Sequence, residues 1–138
     1  MKLSVKSDYA ARAVLGLSRR HSADKPVNAE TLAVENGIST PYLVQILIEL
    51  KAKNIVRSQR GKEGGYTLAR PPAEITLADV IEAVHGSIFE TPALNDPGCP
   101  PELSSAWKQL QQAVEKAGRQ ITFQSLADAS NERKMYYI

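Results

Sequence analysis

A helical stripe that gives way at once to a glycine-studded basic hairpin is the feature that most narrows the fold of this chain. Leu43, Ile46, Leu47 and Leu50 recur at i, i+3, i+4 and i+7, the spacing of one buried helix face. Ser39 or Thr40 suits the cap of that helix, and Pro41 suits its first turn, where no N–H is needed. Just beyond it, IVRSQR and YTLAR have strand character on either side of GKEGG. Alternation puts Val56, Ser58 and Arg60 on one face of the first strand, and Tyr66 and Leu68 on one face of the second. Gly61, Gly64 and Gly65 let the hairpin tip take positive φ angles and lie close to another surface.

The flanking segments complete a recognisable unit. Tyr9, Ala10, Ala13, Val14 and Leu17 predict a first helix over roughly 7–20. Asn28 suits the cap of a short helix over 29–35, ended by Asn36 and a left-handed Gly37. Two helices joined by a glycine turn, then a hairpin, make a winged helix-turn-helix. After it, Thr76 and Asp79 are spaced as a capping box for a helix whose apolar face is Leu77, Val80, Ile81 and Val84. SIFETPALNDPGCPP follows as a proline-rich loop. From 102 to 118, Leu103, Trp107, Leu110, Val114 and Ala117 step by 4, 3, 4 and 3, a heptad seam fit to pack along another helix. Thr122 caps a short last helix through Leu126 and Asp128, and the tail SNERKMYYI receives no assignment.

The expected fold class is therefore mostly α with a small β-hairpin: a winged helix-turn-helix plus a long C-terminal dimerisation helix. The expected organisation is a winged unit over 1–86 (wing 57–70), a sensor or effector loop over 87–101, and a dimerisation helix with tail over 102–138.

Charge is unevenly placed. Residues 1–70 hold twelve Lys/Arg against six Asp/Glu, whereas 71–138 hold five against nine. Within 51–70, Lys51, Lys53, Arg57, Arg60, Lys62 and Arg70 face only Glu63. One end of the molecule is built for an anion. No apolar run approaches the roughly 20 residues of a membrane span. Lys6, Ser7 and Asp8 interrupt the place where a signal peptide would carry its apolar core, so a cytoplasmic protein is expected. One cysteine, Cys99, excludes an internal disulfide or a multi-cysteine zinc site within one chain. An enzyme is the weakest reading. His21, His85, Cys99 and the carboxylates are scattered, with no nucleophile–base spacing and no H-E-x-x-H. A P-loop fits poorly, because the G-x-x-x-x-G-K-S/T order is absent and the glycines follow a helix and lead into a strand.

A narrow basic ribbon beside a helix-turn-helix points to DNA. Arg60 is the candidate minor-groove reader, with Ser58, Lys62, Gly64 and Gly65 beside it. On the helix before it, Pro41, Val44 and Gln45 lie on the face away from the core; Gln45 can bond an adenine edge in both directions, and Val44 can touch a thymine methyl. Thr40 and Tyr42 offer hydroxyls. Asn28 and Ser39, at helix starts, suit phosphate. The competing class is a winged helix used as a protein-interaction module, favoured by the apolar Val44 and Ile48 on the presumed reading face.

The chain resembles the Rrf2 family of bacterial transcription regulators. The matching pieces are MKLSVKSDYAARAVLGL, ISTPYLVQILIELKAKNIV, the wing RSQRGKEGGYTLARP, ITLADVIEAVHG, a lone Trp107 in a long helix, and ITFQSL. The resemblance implies a homodimer on a partly palindromic double-stranded DNA operator, with a dimerisation helix (Leu103, Trp107, Leu110, Val114) crossing between subunits. It also implies an iron–sulfur cluster held by three cysteines in the loop before that helix, with an acidic residue at the place of Asp8 as a further ligand from the other subunit in some members. Here the loop holds only Cys99, so no cofactor and no metal site are expected. The donors left for a cluster would be Cys99, Asp8 and His21 or His85. Cys99 is instead a candidate redox-sensing thiol, with no Lys, Arg or His within six residues to lower its pKa, so an inert cysteine is an equal reading. The effector, whether small molecule or protein, stays unassigned.

Overall fold

A computed structural model describes residues 2–136 of the chain. Helix α1 runs Val5–Arg19, α2 Ala29–Asn36, α3 Thr40–Ala52, α4 Leu77–Val84, α5 Pro101–Gln120 and α6 Phe123–Tyr136. Strands β1 (Val56–Gln59) and β2 (Gly65–Leu68) pair antiparallel, in the register Val56↔Leu68, Arg57↔Thr67, Ser58↔Tyr66 and Gln59↔Gly65. No described helix is long and apolar enough to cross a membrane.

The helix ends are set by local chemistry. Ser4 caps α1 by accepting from Ser7 N–H at 3.2 Å. Asn28 caps α2, and Gly37 closes it in the left-handed conformation at φ +65°. Ser39 stands at the cap position of α3, but its side chain makes no capping hydrogen bond. The box at α4 is complete: Asp79 N–H donates to Thr76 Oγ1 at 3.1 Å, and Thr76 N–H donates to Asp79 Oδ2 at 2.9 Å.

Helix α1 is the hub of the fold, touching α2, α3, α4 and α6. Its inner face is small: Ala10, Ala13 and Gly16 let neighbouring helices come close, and Val14 and Leu17 fill the space between. Leu43, Ile46, Leu47 and Leu50 of α3 are fully buried, as their spacing predicts. Phe123, also fully buried, joins this same core from the start of α6. Backbone bonds between Leu77 and Ile121 and between Phe123 and Ile75 dock the α5–α6 junction on α4. Helix α6 extends through Tyr136, well past the expected end near Asp128. No glycine or proline interrupts 123–136, and Arg19 of α1 donates to Ser130 Oγ at 3.1 Å, giving the polar stretch a partner.

The proline-rich connection between α4 and α5 buries Ile88 and Phe89 and contains one 3₁₀ turn, Pro92–Asn95. Phe89 lies 6.3 Å from the Trp107 ring, and its carbonyl accepts from Gln111 Nε2 at 3.2 Å. The loop is thereby fastened to one face of α5.

Candidate nucleic-acid interface

The exposed side of α3 carries Pro41, Gln45 and Ile48, with Thr40 and Val44 half-buried at its margin. It is a mixed face. Ile48 is 58% exposed, and Gln45 offers an amide able to donate and accept. Tyr42 sits apart from it. Its ring packs edge-on to Tyr9 of α1 at 5.8 Å, and the Arg12 guanidinium lies 5.6 Å from the Tyr9 ring. Glu49 would place negative charge on the same helix, but Lys6 Nζ pairs with its Oε1 at 2.6 Å.

The hairpin stands beside α3. Lys51, in the last turn of α3, donates to Ser58 Oγ of β1 at 2.7 Å. Ser58 is therefore engaged by a lysine of its own chain. Arg60, Gly61, Lys62 and Glu63 form the tip and are exposed, closed by Gly64 N–H donating to the Gly61 carbonyl at 3.0 Å.

The three tip glycines have different surroundings. A Cβ on Gly61 would meet nothing, and there φ is +108°. One on Gly64 would lie 2.1 Å from the Gln59 carbonyl oxygen, inside the hairpin. One on Gly65 would lie 2.4 Å from the Val27 carbonyl oxygen. Gly64 and Gly65 thus press on protein backbone rather than opening onto a free surface.

Val27 and Lys51, neither of them among the candidates read from the sequence, join the wing to the helices. Val27 pairs with Tyr66 as an isolated antiparallel bridge. That pairing brings Asn28, whose Oδ1 accepts from Thr31 N–H at 2.8 Å, next to the wing root. The density of Lys and Arg over 51–70 was the only sequence signal for Lys51. Val27 had none, because its partner lies far along the chain.

The seam on α5 divides between two surroundings. Trp107 meets Phe89, and Val114 packs on Ala78, Ile81 and Ile88 of the same chain. Gly118 carries on that side, where an added Cβ would come within 3.1 Å of Ala78 Cβ. Leu103 and Leu110, each 45% exposed, line the other edge with Ala117, and Ile121 follows just past the helix end. Near the start of α1, Leu3, Val5, Ala11, Leu77 and Ile81 line a mostly apolar groove of about 380 Å³, with Ser4, Ser7 and Asp8 on its wall.

The residues named for a cluster do not gather. Asp8 Oδ2 pairs with Arg12 at 3.0 Å. Among the described residues no three His, Cys, Asp or Glu side chains stand as a metal-binding group. Cys99 is half-buried in the turn before α5, its N–H donating to the Asp96 carbonyl at 3.1 Å.

Comparison with known proteins agrees with this architecture. The family model for Rrf2, described as an iron-dependent transcriptional regulator, matches residues 3–129. The HTH-type transcriptional regulator CymR of Bacillus subtilis is 31% identical, with the whole of both chains covered. IscR of Photorhabdus laumondii, also an HTH-type transcriptional regulator, is 37% identical over 72% of this chain and 60% of that protein. Among solved structures, CymR (YrzC), the global cysteine regulator of B. subtilis, superposes with a TM-score of 0.81 at 28% identity, covering 94% of this chain and 98% of that one. T. potens IscR superposes with a TM-score of 0.77 at 30% identity, covering 99% and 97%. A winged helix with its basic tip exposed beside an exposed α3 face, matched by regulators along nearly its whole length, is not an enzyme: the chain belongs to the Rrf2 family of transcriptional regulators.

Proposed function

We propose that the chain acts as a homodimer on a partly palindromic DNA operator, reading bases from the exposed face of α3 and the minor groove from the wing tip. One observation carries this reading. The Lys51–Ser58 bond keeps the wing alongside α3 while leaving Arg60 and Lys62 free at the tip. Gln45 is the base reader, and Val44 and Pro41 give apolar contact. Thr40, Ser39 and Asn28 offer hydrogen-bonding groups to phosphate at the positive ends of α3 and α2. Tyr42, packed on Tyr9, supports the helix with its ring and has only its hydroxyl to present to DNA.

The second copy covers the exposed edge of α5. Leu103, Leu110 and Ile121 present an unpartnered apolar stripe, and the groove at Leu3, Val5, Leu77 and Ile81 presents another apolar surface. A two-fold pair burying each stripe in the other's groove uses both surfaces at once.

The residues present do not fit the iron–sulfur cluster that the family resemblance implies. Such clusters take several thiolates, and this chain offers one.

The test is binding of fluorescent duplexes from upstream of neighbouring genes, across a salt series. The reading requires a preferred fragment and a log–log salt slope near −0.9 per phosphate contacted. Absence of salt-dependent DNA binding would sink it and would hand the apolar Val44–Ile48 face to a protein partner instead.

A further inference from the structure

The wing is gripped along both edges of its hairpin by contacts distant in sequence. Val27 N–H donates to the Tyr66 carbonyl at 3.0 Å, and Tyr66 N–H donates back to the Val27 carbonyl at 2.8 Å. Val27 thus acts as a single-residue third strand on the open edge of β2. On the β1 edge, Lys51 Nζ bonds Ser58 Oγ at 2.7 Å.

The closest approach of the hairpin to the segment before α2 is at residue 65. An added Cβ would sit 2.4 Å from the Val27 carbonyl oxygen and 2.8 Å from the Asn28 nitrogen, and φ is +152°. Distance and dihedral both demand glycine. Asn28 is the residue whose side chain caps α2. The start of α2 and the root of the wing are therefore one backbone-bonded unit, with the exposed tip projecting beyond it.

We propose that Gly65 is a positioning residue for DNA binding. By letting β2 lie flat on Val27 it sets the span between the amide groups at the start of α2 and Arg60 at the wing tip. Phosphates and grooves of a duplex recur at fixed intervals, so two contacts carried on one rigid body engage together only when their spacing matches. Contacts of this kind tolerate displacements of only about 0.5 Å. A side chain at 65 must push the hairpin off Val27 and swing Arg60 out of register. This inference rests on the DNA-reading role proposed above.

The experiment is a double-mutant cycle on the full-length protein: wild type, Arg60→Ala, Gly65→Ala and the double variant. Each binds a duplex that the wild-type protein selected from a random pool, at one salt concentration and at a temperature where all four are folded by circular dichroism. Arg60→Ala alone should weaken binding roughly 5- to 100-fold. Gly65→Ala should weaken it comparably. The double variant should bind no worse than Gly65→Ala, because a displaced wing leaves Arg60 nothing to lose. Melting temperature separates this from a merely structural role. If Gly65→Ala lowers the melting temperature yet Arg60→Ala retains its full cost in that background, the positioning role is wrong. If Arg60→Ala costs nothing even in the wild-type background, the wing-reading role fails instead. Should Gly65→Ala not fold, Val27→Pro takes its place in the same cycle, since it removes the N–H that donates to Tyr66 and leaves Gly65 intact.

Discussion

Arg119 Nη1 lies 3.2 Å from Asp79 Oδ1, fastening the last turn of α5 to the capping box of α4. The other arm of the fork reaches Glu82 Oε1 at 2.7 Å. The hydrogen bond and charge of Glu82 raise the Arg119 pKa above its ordinary value, and Asp79 adds to this. A proton bound more tightly in the fold gives stability that is complete below the ordinary arginine range and lost only as pH rises past it. Between pH 6 and 9 the Arg119 charge is constant, so salt rather than pH is the probe. Arg119 is half exposed, so Arg119→Ala should cost only about 0.5 kcal/mol, less at high salt. Asp79→Ala also breaks the cap and should cost about 1–2 kcal/mol. Urea midpoints at one protein concentration measure both, and equal costs would refute the capping role.

Asn28 and Ser39 both precede helices, yet only Asn28 makes a capping bond. Asn28→Ala should lower stability by about 1 kcal/mol, whereas Ser39→Ala should leave it nearly unchanged. A loss of DNA affinity in Ser39→Ala, with an unaltered melting curve, would then report a phosphate contact. A destabilised Ser39→Ala would show that its hydroxyl caps α3 after all.

Phe123 is fully buried where α5 turns into α6. Truncation to alanine leaves a cavity under α1 and should cost about 3–5 kcal/mol. A shift below about 1 kcal/mol in chemical denaturation would mean that α6 contributes little to the core.

Leu110→Glu adds a charge to the exposed stripe of α5 without touching the Trp107–Val114 side. Sedimentation should show self-association weakened by at least about tenfold, with helix content retained, because burying an unpaired carboxylate is costly. Unchanged association would place the dimer contact elsewhere.

Gln45→Ala should lower affinity for the selected duplex by about 1–3 kcal/mol and relax preference at one base pair in each half-site. Equal losses on selected and random DNA would remove Gln45 from base reading.

Much of this fold was legible from neighbours in the chain. The helix-turn-helix, the hairpin and the Thr76–Asp79 box follow from periodicity, capping residues and turn glycines, all local signals. The seam on α5 was legible as apolar spacing but not as two environments. Spacing alone does not say that Trp107 and Val114 meet Phe89 and Ala78 while Leu103 and Leu110 stay bare. The length of α6 was missed because its sequence is polar and its support comes from α1.

The sequence by itself determined where the helices start, which stripe of α3 is buried, and that positive charge gathers on a glycine-rich tip. Each depends on interactions within a few residues. Only the tertiary structure decided that Gly65 presses on Val27, that Lys51 holds Ser58, and that Lys6 of α1 pairs with Glu49 of α3. The first depends on strand pairing between distant segments, and the other two on which side chains the packed elements bring within bonding distance. Those distances are set once the core around α1 has closed, and no local pattern encodes them.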